Sequence, residues 1–181
     1  MSEEKDGITG ITVLFFDKPN MDFIEKETLG KKINHDKFFS FLAKKEKELH
    51  VRFYWRSSED ESPYGIHLKQ LRIKLQAQGI RFISIETEKD VDIALMNDMF
   101  TILFDVNDRF ARPEKIILCS GDKAFSVILG TAKRRFGIST TVISSKSHCA
   151  EVLKEVLDET IFIEDIDSNE NLFLKDPNPI N

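Results

Sequence analysis

The sequence predicts an α/β domain built on a mainly parallel sheet of about five or six strands, with helices on both faces. Three observations point there. Short apolar or alternating runs recur along the chain, helix-periodic stretches separate them, and glycines close two of those stretches at Gly79 and Gly137. Strands joined through helices run parallel, because each crossover returns the chain to the same end of the sheet.

Residues 11–16 (ITVLFF) form a continuous apolar run, the mark of a strand buried on both faces. Asp17-Lys18-Pro19-Asn20 then reads as a turn, and the charged residues 22–33 as a loop or short excursion. Asn34 is placed to cap a helix over 35–48, whose inner side carries Phe38, Phe41, Leu42 and Leu49. His50–Arg56 is a second strand, followed by a polar loop over 57–63 and a helix over 64–78. Residues 80–85 alternate as a strand does, and a helix spans Val91–Phe104. A buried strand at 116–119 leads into Ser120-Gly121-Asp122 and a helix over 123–136. A strand at 138–143, a helix at 147–157 and a strand at 160–164 complete the pattern. Residues 1–10 read as a polar leader, 11–165 as the domain and 166–181 as a loose polar tail.

With 181 residues and 41% hydrophobic content, the chain suffices for one domain with a sizeable core. A net charge of -5 excludes a generally basic nucleic-acid coat but leaves room for a local basic patch. The two cysteines, Cys119 and Cys149, have neither zinc-ligand nor disulfide-framework spacing. Cys119 sits on an apolar strand, which favours a buried thiol over a nucleophile. His35, His50, His67 and His148 are scattered without ligand spacing and read as structural or surface residues. No run is apolar enough to span a bilayer, so the expectation is a soluble, cytoplasmic protein.

Ligands of parallel sheets bind beyond the carboxyl ends of the strands. Asp17 and Asp122 both follow a strand end, which nominates one shared acidic site. Each also has a plain alternative. Asp122 suits a helix cap, and Asp92 suits the first turn of its helix, where acids favour the dipole. Asp98 lies six residues after Asp92, about 120° round an ideal helix, so the two do not share a face. If Asp17, Asp92 and Asp122 do cluster, their repulsion is relieved by a cation. Hard oxygen donors favour Mg²⁺ or Mn²⁺, an ion that orients and helps deprotonate water for hydrolysis of a nucleic-acid backbone.

Three stretches in order, VLFFDKPNM, KDVDIALMNDM and ILCSGDKAF, resemble the NYN domain family, a branch of the PIN-like nucleases. The third is similar to that family's Ser-Gly-Asp-x-Asp-Phe signature, and GISTTVI and ETIFIEDI fit its closing elements. The resemblance implies a PIN-like, Rossmannoid three-layer sandwich, a Mg²⁺ or Mn²⁺ cofactor and RNA as substrate. Carried over by position, Asp17, Asp92 and Asp122 are the metal-site and catalytic carboxylates, with Asn20 and Ser120 in support. Two departures stand out. Ala124 replaces the signature's second Asp, with Asp98 or a tail acid left to compensate. Lys18 replaces the usual Gly and offers a contact to phosphate.

Further basic candidates for RNA are Lys31, Lys32, Arg109, Arg112, Lys133, Arg134 and Arg135, although cations at a helix end also suit its dipole. Phe53, Tyr54 and Trp55 offer stacking surfaces, but on a strand Phe53 and Trp55 read as core packing. The leading expectation is therefore a metal-dependent endoribonuclease. Its rival is a weak or silent RNA-binding or protein-interaction module on the same fold, with a homodimer or protein partner left open. A third reading is a nucleotide- or phosphate-binding domain using Asp17 and Asp122 around Mg²⁺.

Overall fold

The computed structural model describes residues 10–56, 62–88, 90–104, 112–166 and 172–174. Six strands form one parallel sheet: β1 (Ile11–Asp17), β2 (Glu48–Arg56), β3 (Arg81–Thr87), β4 (Lys115–Cys119), β5 (Ser139–Ser144) and β6 (Glu159–Phe162). Their order is β3-β2-β1-β4-β5-β6. The chain winds outward from β1 in both directions, so the order reverses beside β1, where such sheets open a crevice for ligands.

Alternation along each strand feeds two cores. On one face Leu14, Phe16, Phe53 and Ile117 pack beneath α1 (Lys18–Ile24), α2 (His35–Ala43) and α3 (Ser62–Ala77). On the other, Val13, Phe15, Ile116 and Leu118 pack beneath α4 (Val91–Phe104), α5 (Ser126–Phe136) and α6 (Glu151–Val156). This is the expected three-layer sandwich. Phe53 and Trp55 are core residues, as their strand position suggests. Among the described residues no helix is long and apolar enough to cross a membrane.

Several boundaries differ from the expectations, each for a local reason. The expected turn at 17–20 is the start of α1, with the Asp17 carboxylate capping it and Pro19 in the first turn. The charged stretch after it continues as a π-helical turn, Glu25–Leu29, ended by Gly30 in the left-handed conformation. The helix expected to reach residue 48 stops at Ala43, because Glu48 and Leu49 pair with Ile11 and Thr12 in the sheet. The helix expected from 147 begins at Glu151, because Ala150 donates its backbone N–H to the Gly121 carbonyl at 3.1 Å. The tail is not loose at Leu172–Leu174. Phe173 bridges antiparallel to Ile33, Asn34 donates to the Leu172 carbonyl at 2.7 Å, and Leu172 is buried in the core. The leader before Gly10, loop residues 57–61 and the rest of the tail lie outside the described residues.

His35 is an unusual core residue. Its ring lies 5.3 Å from both Phe16 and Phe53, edge-on to each, and stacks on Phe39 at 6.1 Å. Its Nε2 is buried without a hydrogen-bond partner, and burial pushes the imidazole pKa down to about 3. A lone buried polar group costs about 1–3 kcal/mol. His35→Phe is therefore expected to raise unfolding stability by about 1 kcal/mol in urea titration at pH 7. The wild-type ring is neutral when folded but takes up a proton on unfolding below its ordinary pKa of 6.5. Its contribution thus falls with pH from about 6.5 towards 3, a dependence the Phe variant loses.

Candidate active site

Asp17 ends β1 with the parity of Val13 and Phe15, which turns it toward the α4 and α5 side of the sheet. It is only 2% exposed. Its Oδ1 accepts the backbone N–H of Asn20 at 3.2 Å, and the Ser120 hydroxyl donates to the same carboxylate. These bonds favour the ionised form, yet the pKa is raised to about 6. Burial is the larger cause, and the charges of Asp92 and Asp122 push in the same direction.

Asp92 comes from the first turn of α4, where its backbone N–H is capped by Asp90 Oδ1 at 3.0 Å. Its pKa is also raised, by burial first and then by Asp122 and Asp90. Asp122 follows β4 and caps a short 3₁₀ turn, Lys123–Phe125, by accepting the Ala124 N–H at 2.8 Å. Both plain readings of these acids thus hold, and the three carboxylates still line one cleft of about 460 Å³.

Asn20 stitches the site together. Its Oδ1 accepts the Gly121 N–H at 3.0 Å, tying α1 to the loop after β4. Ser120 is fully buried, and its Oγ accepts the Asp122 N–H at 3.3 Å. Gly121 does not need an unusual φ; it needs room. A Cβ there would lie 2.2 Å from the His148 carbonyl oxygen and 2.6 Å from Ser144 Oγ.

The other candidates lie elsewhere. Asp98 sits about 9 Å further along α4, where it accepts from Tyr54 and from Arg52 Nη1 at 2.5 Å. Lys18 pairs with Asp22 and lies 4.7 Å over the Tyr64 ring, on the far side of α1. Lys133, Arg134 and Arg135 end α5, at the opposite end of the sheet from the acids. There Lys133 pairs with Asp158 at 2.9 Å, and Arg112 and Arg135 lie over Phe136. Arg109 lies outside the described residues.

Asp90, Arg56 and Phe23 line the cleft and were not among the sequence candidates. Arg56 ends β2 and lines the cleft, with no carboxylate at ion-pair distance among the described residues. Phe23 on α1 forms a wall and is 52% exposed. The strand-end rule that nominated Asp17 would also have nominated Arg56.

The donor set suits a hard divalent cation, which would offset both the burial and the mutual repulsion that hold Asp17 and Asp92 up. Among the described residues no three acidic, histidine or cysteine side chains close on one point as a ready ligand cage. An ion that keeps several of its waters fits such an open arrangement, as Mg²⁺ characteristically does.

The NYN domain model matches residues 11–164. No curated protein matches the chain. Among solved structures, a protein of unknown function from Vibrio parahaemolyticus RIMD 2210633 is similar at a TM-score of 0.67 and 20% identity. The match covers 96% of this chain and 100% of that one. At that identity the likeness shows a shared fold alone.

Proposed function

The chain belongs to the NYN domain family, and from that premise we propose that it is a metal-dependent endoribonuclease. NYN domains fall in the PIN-like nuclease superfamily, whose members generally use divalent metals. The observation that carries the reading is the convergence of Asp17, Asp92 and Asp122, from three separate motifs, on one cleft that also presents Arg56.

In this reading the three carboxylates hold Mg²⁺ or Mn²⁺, partly through water. When bound, such an ion orients and acidifies a water molecule and offsets charge on the phosphodiester. Arg56 supplies the guanidinium that a phosphate oxygen needs as a hydrogen-bond donor. Phe23 offers an exposed ring against which an unpaired base stacks, which favours single-stranded RNA. Asn20 and Ser120 hold Asp17 and Asp122 in mutual register. Water adds to phosphorus, one ester oxygen leaves with a proton, and no covalent protein intermediate forms.

The test is incubation of labelled single-stranded RNA with Mn²⁺, Mg²⁺ or EDTA, beside an Asp17→Asn variant. Metal-dependent cleavage absent from the variant supports the enzyme; equal cleavage by both sinks it. RNA binding without cleavage supports the second reading, a silent RNA-binding module, which Ala124 and the open donor set favour. The same features predict the effect of Ala124→Asp. Added charge beside Asp122 is expected to raise Mn²⁺-dependent cleavage about tenfold, by strengthening a metal site short of ligands. An unchanged rate and metal dependence would show that position 124 does not feed the cleft.

A further inference from the structure

We propose that a second pocket, across α1 from the acid cleft, binds a nucleotide by its phosphate. The helix is the partition. Pro19, Asn20 and Phe23 face the acid cleft, whereas Lys18, Asp22 and the following Glu25 and Lys26 face a larger cavity of about 910 Å³. That volume is in the range of small-molecule sites.

The charge there opposes that of the whole chain. Five lysines line the cavity: Lys18, Lys26, Lys31, Lys32 and Lys74. Its three acids are engaged. Asp22 pairs with Lys18, Glu25 accepts the Ile33 N–H at 2.9 Å, and Asp36 accepts from Gln78 Nε2 at 3.3 Å. Among the described residues Lys31, Lys32 and Lys74 have no carboxylate at ion-pair distance. Asn34 and His35 also line the cavity, so the positive end of the nine-residue α2 opens into it.

A phosphate alone does not account for the rest of the wall. Tyr64, His67, Leu71 and Leu174 give an aromatic and apolar side suited to a base. Nucleoside monophosphate chemistry meets both demands. It is presented by a free mononucleotide or by the 5′-phosphorylated end of an RNA. The phosphate site does not depend on cleavage in the acid cleft; only the RNA source rests on that reading.

The single tryptophan is placed to report binding, since Trp55 lies 5.4 Å from the Tyr64 ring. AMP, UMP, inorganic phosphate and adenosine are titrated into the full chain in EDTA, by tryptophan fluorescence and calorimetry. Saturable AMP or UMP binding, tighter than phosphate or adenosine, is expected. Lys31→Glu/Lys32→Glu should weaken it about tenfold or more, as charge-assisted contacts dominate phosphate recognition. Lys69→Glu, on α3 outside the cavity, should change it less than about twofold through screened charge alone.

Hexaribonucleotides with 5′-phosphate or 5′-hydroxyl ends separate the sources. A 5′-phosphate oligomer that outbinds AMP identifies an RNA end, and AMP outbinding both oligomers identifies a free nucleotide. No saturation by millimolar nucleotide, phosphate as tight as AMP, or equal loss in Lys69→Glu would each overturn the proposal. Cleavage without nucleotide binding defeats only this pocket, and nucleotide binding without cleavage defeats only the nuclease reading.

Discussion

Asp17→Asn is expected to reduce metal-dependent RNA cleavage at least about 100-fold, because charge stabilisation by a bound ion is worth several kcal/mol. The same change should make the protein more stable. Asp17 is buried and its pKa is about 6, against 3.8 in an ordinary setting. The folded state therefore holds the proton more tightly, and stability falls as pH rises from about 3.8 to about 6. Above that window the full cost of ionised Asp17 is about 3 kcal/mol by linkage. An uncharged amide escapes it and still accepts the Asn20 N–H. Urea unfolding at pH 8 in EDTA should thus show the variant more stable by about 2–3 kcal/mol. Saturating Mn²⁺ should narrow the gap, since an ion that binds only the folded wild type stabilises it by mass action. A variant that loses both activity and stability would mean that Asp17 is chiefly a structural cap.

Gly121→Ala should produce the opposite pairing, with stability and activity lost together. The added methyl meets the His148 carbonyl and Ser144 Oγ well inside contact distance. The loop cannot simply move aside. Gly121 is held on one side by its N–H bond to Asn20 and on the other by its carbonyl bond from Ala150. Overpacking of this kind costs about 1–3 kcal/mol. The forced shift carries Asp122 with it, and a displacement of about 1 Å at a reacting centre costs about 100-fold in rate. Thermal unfolding and the RNA assay on one preparation measure both effects. Wild-type values for either would show that the His148 turn yields.

The sheet was legible because its signals were local. ITVLFF and IILC advertise buried strands, and Val91–Phe104 begins and ends where its periodicity does. The start of α1 was not, because Asp-Lys-Pro-Asn has the composition of a turn and the helix buries only Met21 and Ile24. The acid cleft was legible through strand-end placement and motif order. Arg56 was missed because it belongs to none of the three motifs, and Asp98 stood open because nothing in the sequence shows that Tyr54 and Arg52 claim it. Gly121 stood in the sequence only as the residue between Ser120 and Asp122. Its neighbours come from the β5–α6 connection, which no local pattern links to it. Lys31 and Lys32 stood out as basic residues, but the cavity they line did not, as its walls come from α1, the π turn, α2, α3 and the distant Leu174.

The short antiparallel pairing joins Ile33, inside the span matched by the family, to Phe173, beyond its end at residue 164. It works as a clasp between distant parts of the chain and completes the wall of the lysine cavity with Leu174. All three acids lie inside the matched span. Of the lysine cavity's lining only Leu174 lies beyond that span, so a change at residues 172–174 would alter this wall while leaving the acidic cleft as it is.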